Sequence, residues 1–191
     1  MVQKGIYDAF AGAVAAKVGK MVLGDGLASG TSMGPLINAK LLTKVTAHVD
    51  DCVAKGARLL VGGPAPLEWN AAGATFYCPT VLAGVTANMA PFREETFGPI
   101  APIMMFESEE EAVALANDTP YGLSGYVCSR DLGRVWRVAE ALECGMVGIN
   151  GGAISNAATP FGGMKESGLG REGGPWGLEE YLEVKYLGMG F

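Results

Sequence analysis

Ile100-Ala101-Pro102-Ile103-Met104-Met105-Phe106 is an apolar run of strand length, and Glu107-Ser108-Glu109-Glu110-Glu111 follows it directly. A short continuous apolar run predicts a strand covered on both faces, the habit of a core strand in a parallel sheet. Ser108 with Glu111 three residues on predicts a capping box, and hence a helix over residues 109–117. Residues 123–129 then read as a strand. Asp131 opens a second helical pattern with Val135, Val138, Ala139 and Leu142 inward, and Gly145 ends it before a strand over 146–150. The order strand, helix, strand, helix, strand predicts an α/β fold, a mostly parallel sheet with flanking helices, because parallel neighbours need crossovers of this length.

Upstream, Ile6, Phe10, Val14 and Val18 recur at helical spacing and Gly19 follows them, so residues 5–18 read as a helix. A loop rich in Gly, Asp and Ser covers 24–35. Residues 39–55 form a second predicted helix whose Leu41, Val45, Val49, Cys52 and Val53 make one apolar face. His48 borders that face and reads as structural. Residues 57–61 look like a short buried strand, Gly62-Gly63-Pro64 breaks it, and 76–82 resumes as a strand that Pro79 places near an edge. Downstream, residues 151–175 concentrate Gly, Ser, Asn and Pro over a length that suits a functional loop better than a connector. A short helix around 175–181 leads to 182–187, where Leu182, Val184 and Tyr186 alternate with Glu183 and Lys185. Such a half-exposed terminal strand is suited to pairing with another subunit's sheet.

Length and composition bound the function. At 191 residues and 49% hydrophobic content, the chain can bury one sizeable core, so one main domain is expected. A formal charge of -6 with scattered Lys and Arg argues against nucleic-acid binding. No apolar stretch approaches the ~20 residues of a bilayer span, and the first residues lack a secretory pattern, so a cytoplasmic protein without membrane contact is expected. Cys52, Cys78, Cys128 and Cys144 are far apart with no close pairing, which reads as buried thiols rather than a metal or disulfide site. Any histidine chemistry would rest on His48 alone. Gly168, Gly170 and Gly173 fit Gly-x-Gly-x-x-Gly formally, but no buried strand leads directly into them, and the match reads as accidental.

Glu94-Glu95-Thr96-Phe97-Gly98-Pro99 holds no nucleophile; in isolation Glu94 and Glu95 would read as a solvated pair on a turn. In order along the chain, this run is followed by Asn117-Asp118-Thr119-Pro120-Tyr121-Gly122-Leu123, Ser129-Arg130-Asp131 and Gly145-Met146-Val147-Gly148-Ile149-Asn150. Pro160-Phe161-Gly162-Gly163, Lys165-Glu166-Ser167-Gly168-Leu169-Gly170-Arg171-Glu172 and Glu183-Val184-Lys185 complete the series. Together they resemble the NAD(P)-dependent aldehyde dehydrogenases over essentially the whole chain. Ile6-Tyr7-Asp8-Ala9-Phe10, Met33-Gly34-Pro35-Leu36-Ile37, Ile154-Ser155-Asn156 and the 181–186 ending resemble the succinate-semialdehyde dehydrogenase branch.

The resemblance implies a C-terminal part of such an enzyme. Residues 1–175 would be a partial catalytic domain, and 176–191 a helix and oligomerisation strand through which the protein forms a homo-oligomer. Glu95 would accept hydrogen bonds from the nicotinamide ribose, and Phe97 would pack beside the nicotinamide. Phe161 would line the aldehyde tunnel, and the Ser155 hydroxyl would donate to the distal carboxylate of a semialdehyde. The family's nucleophile lies in a Gly-Gln-x-Cys segment expected before residue 5, and the general base and Rossmann fingerprint lie further upstream. None of the four cysteines matches that segment. The full enzyme would oxidise a small aldehyde to the acid with NAD or NADP; this chain alone is expected to lack catalytic residues and turnover, and to hold no cofactor tightly. A non-catalytic oligomerisation or interaction module is the rival reading, and a redox enzyme using Cys128 or Cys144 is a third.

Overall fold

A computed structural model of the chain describes residues 1–71 and 73–191, which fall into two units, Met1–Ser108 and Glu109–Phe191. The first unit runs β1 (Val2–Gln3), a 3-10 turn (Lys4–Ile6), α1 (Tyr7–Val18), α2 (Ala39–Ala54), β2 (Arg58–Pro64), α3 (Leu67–Asn70), β3 (Tyr77–Val85), α4 (Ala90–Arg93) and β4 (Ile100–Phe106). Its sheet has the order β1-β4-β3-β2, with β1 and β3 parallel to β4 and β2 antiparallel to β3. The sheet is therefore mixed. Successive residues of β3 point to opposite faces. Val81 and Ala83 accordingly join Val2, Tyr7, Ala11 and Ile103 in one core and Leu82 joins Val45, Val49 and Cys52 in another, where register shifts on either side of this stretch also place Tyr77 and Val85. Hence α1 covers one face and α2 the other. Burying a side chain such as Val81 or Leu82 contributes about 1.5–3 kcal/mol. Asn38 starts α2 by accepting from the Leu41 N–H at 2.8 Å.

Two expectations about this sheet are corrected. The strand begun near residue 57 does not stop at Gly62-Gly63-Pro64 and is not buried at its start. β2 continues through both glycines, each at positive φ, with Arg58, Leu59 and Leu60 exposed. Pro79 does not mark an edge either, because β3 is paired on both sides. The register shifts between Val61 and Gly63, opposite Pro79, and pairing with β4 begins at Thr80. The missing Pro79 N–H falls at a bulge, where no ladder bond is lost.

The second unit contains α5 (Glu109–Asn117), β5 (Tyr121–Gly122), β6 (Ser124–Val127), α6 (Leu132–Ala141), β7 (Met146–Ile149), β8 (Met164–Lys165) and α7 (Trp176–Glu179). β6 and β7 are parallel neighbours joined by α6, as the alternation predicts, but β4, expected in the same sheet, pairs with β1 and β3 instead, and β5 pairs antiparallel with β8. Asp131 caps α6 by accepting from the Arg134 N–H at 3.0 Å. The expected strand over 182–187 is not formed: these residues are exposed and carry no strand assignment. A strand exists only through a hydrogen-bonded neighbour, and alternation alone does not provide one. Among the described residues, no helix is long and apolar enough to cross a membrane.

Candidate functional site

The turn 94–99 leaves α4 at Glu94 and enters β4 at Ile100. Three of its alternate residues face α2. The Glu94 carboxylate lies 3.5 Å from His48 Nε2 and 4.0 Å from Lys44 Nζ. Thr96 Oγ1 lies 2.9 Å from His48 Nδ1. Gly98 lies so close to α2 that a Cβ there would stand 2.3 Å from Val45 Cγ2. Lys44, Val45 and His48 lie on one side of α2 by helical spacing, so a single turn of helix supports the whole segment.

The residues between these anchors are left over. Glu95 is exposed, with no hydrogen bond or ion pair assigned to it among the described residues. Phe97 is 79% exposed and has a φ of 51°, in the left-handed region that bulky residues avoid. Such a backbone costs about 1–3 kcal/mol and persists only where its neighbours impose it. Here the flanking Thr96 and Gly98 contacts on α2 do so, helped by the Thr80 N–H donating to Pro99 O at 2.8 Å. An unengaged carboxylate two residues from an exposed aromatic ring suits a ligand with hydroxyl donors beside a flat ring. A nicotinamide riboside has both.

Phe161 and Ser155 belong to the second unit. Phe161 is half-buried and exchanges two 2.7 Å backbone hydrogen bonds with Glu172. Ser155 is exposed in the irregular segment before it. That segment is built by local turns: Asn156 Oδ1 accepts from the Ala158 N–H at 2.8 Å, and the Gly174 N–H donates to Ala157 O at 2.9 Å. Gly173, at positive φ, lies where a Cβ would stand 2.5 Å from Thr159 O, so two of the glycines in the formal Gly-x-Gly-x-x-Gly match serve loop packing: Gly170 would meet the Glu180 carboxylate in the same way. Arg171 Nη1 donates to Gly163 O and Gly170 O at 2.8 and 2.7 Å.

The other resemblance segments meet one another. Asn150 clamps Ser129, accepting from its N–H and donating to its carbonyl at 2.9 Å each. Lys165 Nζ donates to Asn117 O and Thr119 O at 2.8 and 3.1 Å and pairs with Glu143 at 2.5 Å. The Gly122 N–H donates to Ser167 Oγ at 2.9 Å. All four cysteines carry free thiols. Burial pushes the Cys52 and Cys144 thiols up, the opposite of what an activated nucleophile needs. His48 is 4% exposed, in line with its reading as structural, but its contacts, Nδ1 at 2.9 Å from Thr96 Oγ1 and Nε2 at 3.5 Å from the Glu94 carboxylate, were not anticipated. Only its place four residues after Lys44 hinted at a shared partner.

An α/β chain with a rigidly backed carboxylate and aromatic pair defines a candidate cofactor-handling protein. The aldehyde dehydrogenase family model matches residues 1–187, and the chain belongs to that family. It is 54% identical over 186 residues to a glutarate-semialdehyde dehydrogenase of Pseudomonas putida, covering 97% of this chain and 38% of the relative. It is 51% identical over 189 residues to the succinate-semialdehyde dehydrogenase [NADP(+)] of Escherichia coli, covering 99% of this chain and 38% of the relative. A crystal structure of succinate-semialdehyde dehydrogenase from Burkholderia pseudomallei superposes with a TM-score of 0.92 at 55% identity, over 97% of this chain and 38% of that one. The chain thus spans 38% of the length of these relatives.

Proposed function

We propose that this chain is the C-terminal part of an NAD(P)-dependent semialdehyde dehydrogenase, with residues 1–175 in the catalytic domain and 176–191 in its assembly segment. The single observation that carries this is the turn 94–99, where Glu95 and Phe97 stand free beside residues tied to α2. Glu95 accepts from the ribose hydroxyls, as an ionised carboxylate does well, and Phe97 restrains the flat ring. Held by Glu95 and Phe97, a bound NAD(P) would supply the hydride acceptor for oxidation of the aldehyde. Ser155 donates to the distal carboxylate of the substrate and Phe161 lines its approach. Succinate semialdehyde is the proposed substrate, and the relatives at about half identity support a short-chain semialdehyde. The setting is cytoplasmic.

Alone, the chain does not turn over, because none of its four cysteines lies in a Gly-Gln-x-Cys segment. The test joins the upstream part of the Pseudomonas putida relative to this chain and follows nucleotide reduction with succinate semialdehyde. The chimera should be active and the 191-residue chain inactive. Glu95→Gln in the chimera should lower kcat/KM for the nucleotide about 10- to 100-fold, the usual worth of a hydrogen bond to a charged group. Reduction by the chain alone, free of host enzyme, would sink the reading.

A second reading, an interaction module, is favoured by one observation. Tyr181, Leu182, Val184, Tyr186 and Leu187 are all exposed on the terminal segment, an apolar run that a neighbouring sheet edge would cover. Native mass spectrometry with and without the full-length relative tests it: a module forms a stable assembly, and a chain that stays monomeric in both samples would exclude it.

A further inference from the structure

The geometry points to His48 as a positioning residue: it holds the turn 94–99 so that Glu95 and Phe97 face outward. The inference rests on the reading of Glu95 and Phe97 as the ribose and nicotinamide clamp. His48 is buried, yet its ring spends both nitrogens on the turn, 2.9 Å from Thr96 Oγ1 and 3.5 Å from the Glu94 carboxylate. A carboxylate can only accept, so it favours the proton on Nε2; Nδ1 then accepts, and the Thr96 hydroxyl donates. The bond fixes Thr96, Val45 fixes Gly98 from the same helix, and Phe97 between them is left with its unfavourable φ. His48 touches neither Glu95 nor Phe97 by any assigned hydrogen bond or ion pair, so its effect passes through Thr96 and Glu94.

His48 is the one histidine of the chain, so an isotope-labelled sample of the full 191-residue chain gives ring-nitrogen signals from it alone. The neutral ring should show the Nε2–H tautomer. Backbone order parameters at Glu95 and Phe97 should lie near about 0.85 in the parent and fall below about 0.6 in Thr96→Val and His48→Ala. Thr96→Ser should restore them, and Val49 and Cys52 on α2 should stay rigid throughout. Because His48→Ala risks the core, Thr96→Val, which removes only the donor, carries the decision. A turn that stays ordered in Thr96→Val, equal loosening along α2, or the Nδ1–H tautomer would each overturn the inference. Nucleotide kinetics of the chimera separate it from the clamp reading. If the variants loosen the turn while Glu95→Gln and Phe97→Ala leave kcat/KM for the nucleotide in the chimera unchanged, the positioning role stands and the ribose reading falls.

Discussion

Gly98→Ala tests the support beneath the turn. An added Cβ would stand 2.3 Å from Val45 Cγ2, more than about 1 Å inside ordinary carbon–carbon spacing. Val45 cannot swing aside: it is fully buried, and a valine in a helix has one strongly preferred rotamer. The displacement therefore falls on the turn, at the cost of an overpacked core, about 1–3 kcal/mol. Val45→Ala by itself removes two buried methyl groups and should cost about 2 kcal/mol. In the double variant the clash disappears, so its destabilisation should undershoot the sum of the two by at least about 1 kcal/mol. Urea unfolding followed through the Val49 and Cys52 amides reads the first unit directly. A Gly98→Ala loss below about 0.5 kcal/mol, or strict additivity in the double variant, would refute the close approach.

Gly62→Ala should be worse, above about 3 kcal/mol, because φ is 94° and the Cβ would meet Pro79 O at 2.2 Å; unfolding midpoints check it. Tyr7→Phe removes the hydroxyl that donates to Ile103 O at 2.9 Å and accepts from the Gly84 N–H at 2.6 Å, and should cost about 1–3 kcal/mol in the same assay. Tyr77 is 2% exposed, its hydroxyl has no partner among the described residues, and burial pushes its pKa up to about 12 from 10.0. The unfolded phenol ionises first, so this stability is intact below pH 10.0 and is lost as pH rises towards about 12, by up to about 3 kcal/mol. Tyr77→Phe should abolish that alkaline loss and leave stability at neutral pH unchanged or raised by about 1 kcal/mol; a clear loss at neutral pH would contradict the orphaned hydroxyl.

What the sequence discloses depends on how local its cause is. α2, α5 and α6 were readable because apolar periodicity and caps act within a few residues, as at Val45 and Val49 on α2 and at Asp131 on α6. β2 was misjudged because two glycines read as a break, whereas the bulge they form depends on Pro79 in the facing strand. The terminal segment has a pattern that suits a strand, but a strand needs a second edge, which the described residues of this chain do not provide for residues 182–187. Glu95 and Phe97 were legible only through family resemblance. The contact that orders them spans 48 positions, from His48 to Thr96, and neither residue type announces it locally.

The resemblance segments divide by what the fold consumes. Asn150 with Ser129, Lys165 with Asn117 and Thr119, and Ser167 with Gly122 spend their polar groups on one another, so these motif residues cross-link loops and have no donor or acceptor conspicuously to spare. In the turn 94–99 the same accounting leaves a remainder. Glu94, Thr96 and Gly98 are committed to α2, while Glu95 and Phe97 keep a full carboxylate and most of an aromatic ring in solvent, at the cost of a strained φ between two anchored neighbours. A fold gains nothing from that strain by itself. Strain held in place by a buried helix, with its product an outward-facing acceptor and ring, is the pattern of a binding element prepared before its ligand arrives.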